Sequence, residues 1–203
     1  MKKLIENWDM YLNNQYNMPF PYKIYCDMDG VLVDLVGGVL KEANLSVEDE
    51  QLRGGVTHIL KTGWSWLEPH PDPKIQKGLE YINDLISNNL NFWKDLPPTI
   101  DKGVLWDYIS QFDPNVLTHP WDDASADGKS IWLKNNLNPA PNMAFYSGEK
   151  YKWATTKDGK PNLLIDDFEK YTIPWEKAGG IAILHRSAAD TIKQLELIRN
   201  ETS

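Results

Sequence analysis

The chain has 203 residues, enough for one α/β domain carrying an insertion and for a sizeable core. Its formal net charge of −8, with no cluster of Lys or Arg, excludes a polyanion-binding face of the kind a duplex DNA binder presents. A small anionic substrate stays compatible, because a metal ion and one lysine can reverse the field locally.

One cysteine, Cys26, leaves no internal disulfide and suits a reducing compartment. It falls inside an apolar run and reads as core packing. No run of 18 apolar residues and no signal-peptide core is present, so the expected location is the cytoplasm, without a membrane partner.

Residues 1–20 read as an amphipathic helix with internal charge. Such a helix either covers the core or joins two copies into a homodimer, and cover is the simpler reading.

Ile24-Tyr25-Cys26-Asp27-Met28-Asp29-Gly30-Val31-Leu32 then places two carboxylates one residue apart at the end of an apolar strand. In a strand, residues i and i+2 share a face, so Asp27 and Asp29 are expected to sit close and to repel unless a cation or a turn intervenes. Gly30 supplies a turn at the end of the strand, where ligands collect in open α/β sheets. Oxygen ligands of this type suit Mg²⁺.

Residues 35–94 are mostly helical in pattern. Ile75, Leu79, Ile82, Ile86 and Leu90 follow the rhythm of one buried helix face behind the start signal Pro71-Asp72-Pro73. Gly63-Trp64-Ser65-Trp66 lies in a loop-like aromatic segment, and Phe92-Trp93 precedes a break at Pro97-Pro98.

From residue 99 helices and strands alternate. Helices are expected at 103–111, 128–136 and 188–199, and strands at 115–118, 143–146, 162–165 and 181–184, with a helix or loop running to 177. This alternation requires a parallel sheet with helices on both faces.

A second acidic strand end, Leu163-Leu164-Ile165-Asp166-Asp167, repeats the logic of the first, 139 residues beyond Asp27. Thr118 ends a strand, and Lys150 directly follows another. Lys152 is the competing lysine, while Lys157 and Lys160 fit a solvated turn.

These four places resemble, in order, the four signatures of the haloacid dehalogenase superfamily. The resemblance implies a Rossmann-like parallel sheet flanked by helices, formed by residues 1–34 and 95–203, with a small helical C1-type cap at 35–94. It implies that Asp27 takes up a phosphoryl group as an aspartyl phosphate and that Asp29 serves as general acid and base. Mg²⁺ would bind the Asp27 carboxylate, the Asp29 backbone carbonyl and Asp166, with Asp167 behind them or bound through water. Thr118 and Lys150 would hold the phosphate.

Within the superfamily, the chain resembles 5′(3′)-deoxyribonucleotidases of phage and bacterial type. The resemblance rests on the Asp27–Leu32 run, the link Phe92-Trp93-Lys94-Asp95-Leu96-Pro97-Pro98, the helix Lys129-Ser130-Ile131-Trp132-Leu133 and the final Leu163–Asp167 site. It departs after Thr118, where His119-Pro120-Trp121 stands in place of the usual serine, and in its 22-residue N-terminal extension. The implied substrate is a nucleoside monophosphate rather than long nucleic acid.

Nine tryptophans bear on that substrate. Trp64, Trp66 or Trp93 above the metal would stack a base, and His119 would touch phosphate. Trp106, Trp132, Trp153 and Trp175 fit core positions. Two alternatives stay open: a phosphatase for another small phosphoester or a 3′-phosphorylated nucleic-acid end, and a catalytically silent nucleotide-binding protein.

Overall fold

The computed structural model describes residues 20–42, 70–141 and 144–201. Five parallel strands, β1 (Ile24–Cys26), β2 (Asn115–Thr118), β3 (Ala144–Tyr146), β4 (Leu163–Asp166) and β5 (Ile181–Leu184), form one sheet in the order β3-β2-β1-β4-β5. The helices are α1 (Leu35–Glu42), α2 (Pro73–Ile86), α3 (Leu90–Lys94), α4 (Lys102–Ile109), α5 (Asp123–Asn136), α6 (Glu169–Lys177) and α7 (Ala188–Glu201). None of them is long and apolar enough to cross a membrane.

Alternation along the strands sorts side chains onto two faces. Ile24, Cys26, Val116, Leu163, Ile165 and Ile183 enter one large core, together with Leu105 and Trp106 of α4, Trp132 and Leu133 of α5, and Leu195 of α7. Tyr25, Leu117 and Leu164 point the other way and pack on Trp175 of α6. Both faces are covered, and so β1, β2 and β4 are buried along their whole length, as unbroken apolar runs require. The tryptophans expected in the core behave accordingly: Trp106, Trp132 and Trp175 are buried, and Trp153 is partly so.

Strand β1 stops earlier than period-two alternation suggests. The Asp27 amide still bonds the Ile165 carbonyl at 2.8 Å, but the chain then turns sharply on itself. The Met28 carbonyl accepts the amides of Val31, Leu32 and Val33, and Gly30 takes φ +76°. A left-handed residue is inexpensive only for glycine, so the Asp-Gly pair fixes where the strand ends. Asp29 therefore sits in a turn, not on the same strand face as Asp27.

Helix α2 begins with Pro73 at its first position and buries Leu79, Ile82 and Ile86, as the spacing predicts. Leu90 belongs instead to α3, whose N-cap Asn89 accepts the Phe92 amide at 3.0 Å. Helix α3 lies tight against α5, because a Cβ on Gly128 would overlap Trp93. Helix α5 starts five residues before the expected 128. Asp122 accepts the Ser125 amide at 2.7 Å while the Ser125 hydroxyl accepts the Asp122 amide at 2.8 Å, a reciprocal cap with serine where Glu or Gln is usual.

The strand order reverses at β1, with β2 on one side and β4 on the other. In open α/β sheets such a switch point opens a crevice at the carboxyl ends of the strands.

Candidate active site

Every polar residue singled out at a strand end gathers at that crevice. Asp27 follows β1, Asp29 lies in the turn beyond it, Thr118 ends β2, Lys150 opens the short 3₁₀ turn Lys150–Trp153 after β3, and Asp166 ends β4 with Asp167 directly after it. Parallel pairing sets them level, since Cys26 stands opposite both Val116 and Ile165.

Two lysine-centred clusters divide the site. In the first, Lys150 Nζ lies 2.8 Å from Asp27 Oδ1 and 2.6 Å from Asp166 Oδ2, above the Tyr171 ring at 4.3 Å. Lys150 is 1 % exposed. Lys152, the competing lysine, points to solvent and pairs with Glu149. Asp166 is further held by the Phe168 amide on Oδ1 at 3.0 Å.

In the second cluster Lys129 of α5, fully buried, pairs with Asp29 Oδ2 and donates to Thr118 Oγ1 at 3.0 Å and to the His119 carbonyl at 3.3 Å. The two neighbouring aspartates therefore relieve their repulsion with a separate lysine each.

Lys129 had a signal in the sequence. It shares a helical i, i+3, i+4 stripe with Trp132 and Leu133, both core residues, and a lysine on such a stripe needs a buried anion.

The electrostatics show a site short of positive charge. Oxygens of Asp27, Asp166 and Asp167 lie within 4.8 Å of one another, and among the described residues one ammonium, that of Lys150, pairs with this group. Burial pushes the Asp166 carboxyl up to about 8, against the pull of Lys150 and with Asp27 adding repulsion. Asp167 is pushed up to about 7 by burial and then by Asp27, and Asp27 itself is raised by burial. For Lys150 burial works against the charged form, but the Asp27 and Asp166 carboxylates outweigh it and raise its value.

Three convergent carboxylates fit a hard divalent cation with oxygen ligands. Gly30 makes room for them, since a Cβ there would overlap the Asp167 carboxylate. Asp29 Oδ1 is buried and has no hydrogen-bond partner among the described residues.

The other residues with expected substrate roles stand as follows. Trp93 is 3 % exposed, donates Nε1–H to the Ile86 carbonyl at 3.0 Å and lies under Lys129 at 5.2 Å. The packing of α3 on α5 makes it a wall for Lys129 and leaves no open ring face to stack a base. His119 is exposed as a residue, and its ring rests against Gly148. The partial cover on the ring, and then the nearby Lys129 and Lys150, lower its value and favour the neutral imidazole. Trp64 and Trp66 lie outside the described residues.

The sheet, its switch point and the acidic strand ends define an α/β protein of the haloacid dehalogenase type of fold. Among solved structures the chain is similar to a hydrolase from Streptococcus pneumoniae TIGR4, with TM-score 0.53 and 11% identity over 88% of this chain and 100% of that one. It is similar also to a HAD-superfamily hydrolase of subfamily IA, variant 1, from Geobacter sulfurreducens, with TM-score 0.54 and 14% identity over 88% of this chain and 98% of that one. A third is the putative HAD-hydrolase YfnB from Bacillus subtilis, solved bound to magnesium, with TM-score 0.51 and 12% identity over 79% of this chain and 85% of that one. No protein-family model and no curated protein sequence matches the chain.

Proposed function

We propose that the protein is a Mg²⁺-dependent phosphomonoesterase acting on nucleoside monophosphates, with Asp27 as the nucleophile. The observation that carries this reading is the convergence of Asp27, Asp166, Asp167 and Lys150 from three strand ends onto one buried, charge-deficient point. The magnesium found in the Bacillus subtilis neighbour supports the choice of cation.

Phosphate-monoester hydrolysis is among the slowest uncatalysed reactions, and enzymes accelerate it by up to ~10²¹-fold. Positioning and concentrated positive charge are the main means. When bound, Mg²⁺ held by Asp27, Asp166 and the Asp29 carbonyl, with Asp167 beside them, supplies part of that charge.

The remaining work falls to the chain. Asp27 attacks phosphorus in line with the ester oxygen, forming an Asp27 O–P bond as the P–O bond to the leaving group breaks. Asp29 gives a proton to the departing oxygen. Water then attacks the aspartyl phosphate, Asp29 takes its proton, and the Asp27 O–P bond breaks to release phosphate. Lys150 holds the attacking carboxylate and offsets charge on the phosphoryl group, and Thr118 donates to a phosphoryl oxygen. The sequence resemblance at Asp27–Leu32 and Lys129–Leu133, together with the acidic net charge, supports a nucleoside monophosphate over long nucleic acid.

The test is phosphate release from nucleoside 5′- and 3′-monophosphates, sugar phosphates and a 3′-phosphorylated oligonucleotide, each with Mg²⁺ or EDTA. Metal-dependent release favouring deoxynucleoside monophosphates is expected, and Asp27→Asn should abolish it while the protein stays folded. Release from sugar phosphates or oligonucleotide ends alone would keep Asp27 and overturn the substrate. Nucleotide binding without release would point to a silent binding protein.

A further inference from the structure

Lys129 is the most unusual side chain the proposed reaction leaves unused. A fully buried ammonium needs an anion and further acceptors to be tolerated, and among the described residues Lys129 has three such partners from two segments. They are the Asp29 carboxylate in the turn after β1, the Thr118 hydroxyl at the end of β2 and the His119 carbonyl beyond it. The Trp93 ring closes the fourth side at 5.2 Å.

The contact with Asp29 is one-sided. Lys129 takes Oδ2, while Oδ1 is buried with no hydrogen-bond partner among the described residues. A carboxylate in a turn would otherwise rotate about its terminal torsion, so a lysine on one oxygen fixes the orientation of the whole group.

We propose that Lys129 is a positioning residue for Asp29. It anchors Oδ2 and so fixes the carboxylate that gives its proton to the ester oxygen as the P–O bond breaks. The bond to Thr118 ties the same ammonium to the hydroxyl assigned to the phosphoryl group, which keeps proton donor and phosphate in register. This rests on the phosphomonoesterase reading.

The test varies the leaving group. An alkyl phosphate needs its departing oxygen protonated, whereas p-nitrophenolate departs unaided, so a misplaced acid penalises the first ester selectively. General acid catalysis is worth about 10²–10⁴-fold. Lys129→Met should therefore lower kcat/KM for a nucleoside monophosphate at least about tenfold more than for p-nitrophenyl phosphate.

In an Asp29→Asn background, Lys129→Met should leave the ratio between the two esters unchanged, because the acid it positions is already gone. Lys129→Gln, which keeps N–H donors, serves where the methionine variant does not fold. Equal losses on both esters in a folded variant would assign Lys129 a merely structural or general electrostatic role and overturn the proposal. Phosphate release from neither ester by the wild-type protein would overturn the phosphatase reading, and Lys129's role with it.

Discussion

Replacing Lys150 by methionine tests the central cluster most directly. Its ammonium is almost wholly buried and touches two carboxylates, at 2.8 and 2.6 Å. Methionine approximates the stem but supplies no charge, so Asp27 and Asp166 would face each other unpaired, with Asp167 close by. Removing one partner of a buried pair costs about 3–5 kcal/mol. Asp166, already pushed up to about 8, can take a proton at neutral pH and hold the loss near the lower bound. For a chain of this size 1 kcal/mol moves Tm by about 2–4 °C, so a fall of about 6–12 °C is expected. Mg²⁺ at a hundred times its Kd would add about 2.7 kcal/mol to either protein through binding alone. Below saturation the variant should gain more than the wild type, because the cation then balances charge that lysine no longer does. Thermal unfolding with a Mg²⁺ titration and with EDTA reads both effects. A Tm unchanged within about 2 °C, or an equal response to Mg²⁺, would refute the shared-cation account.

Two further predictions concern the turn and a buried histidine. Gly30→Ala combines a left-handed φ, costing about 1–2 kcal/mol, with an overlap on the Asp167 carboxylate, so unfolding in urea should shift by at least that amount and half-saturation by Mg²⁺ should rise. A variant as stable and as Mg²⁺-sensitive as the wild type would show that the carboxylate moves aside freely. His185 is buried against Thr191, with Nδ1 2.8 Å from Oγ1, and burial lowers its value. The neutral ring is thus favoured in the fold, and its contribution is complete above the unfolded value of about 6.5 and lost as pH falls through the lowered native value. Asp166 and Asp167 slope the other way, since their raised values favour the fold as pH falls. The difference between wild type and His185→Gln in urea unfolding, from about pH 7.5 to about pH 5.5, isolates the histidine, and parallel curves would contradict the assignment.

The parts of the site legible in the sequence are those whose chemistry is local. A buried strand that ends in paired acids is costly wherever it occurs, so Asp27 and Asp166 could be singled out before any contact was known. The preference for Lys150 over Lys152 rests on its place nearer the end of β3, and in the structure Lys150 is buried in the 3₁₀ turn while Lys152 is exposed. The remainder depended on packing between distant segments. Trp93 suggested an open stacking surface until α3 was seen to press it onto Gly128. The start of α5 was hidden because Asp122 and Ser125 cap it with an unusual pair. Strict alternation over Asp27 and Asp29 failed because Met28 turns the chain by accepting three amides, a closure that the two-residue period does not encode.

The placement of β1 between β2 and β4 has a consequence for synthesis. The strand pairs on both edges, yet β4 leaves the ribosome about 140 residues after it. At translation rates of about 5–20 residues per second, one edge of a wholly apolar strand waits roughly 7–30 s for its partner. During that interval Ile24, Tyr25 and Cys26 form a ready template for another unfinished chain. Yield of the protein in cells should therefore depend more on elongation rate and chaperone supply than on the stability of the finished fold.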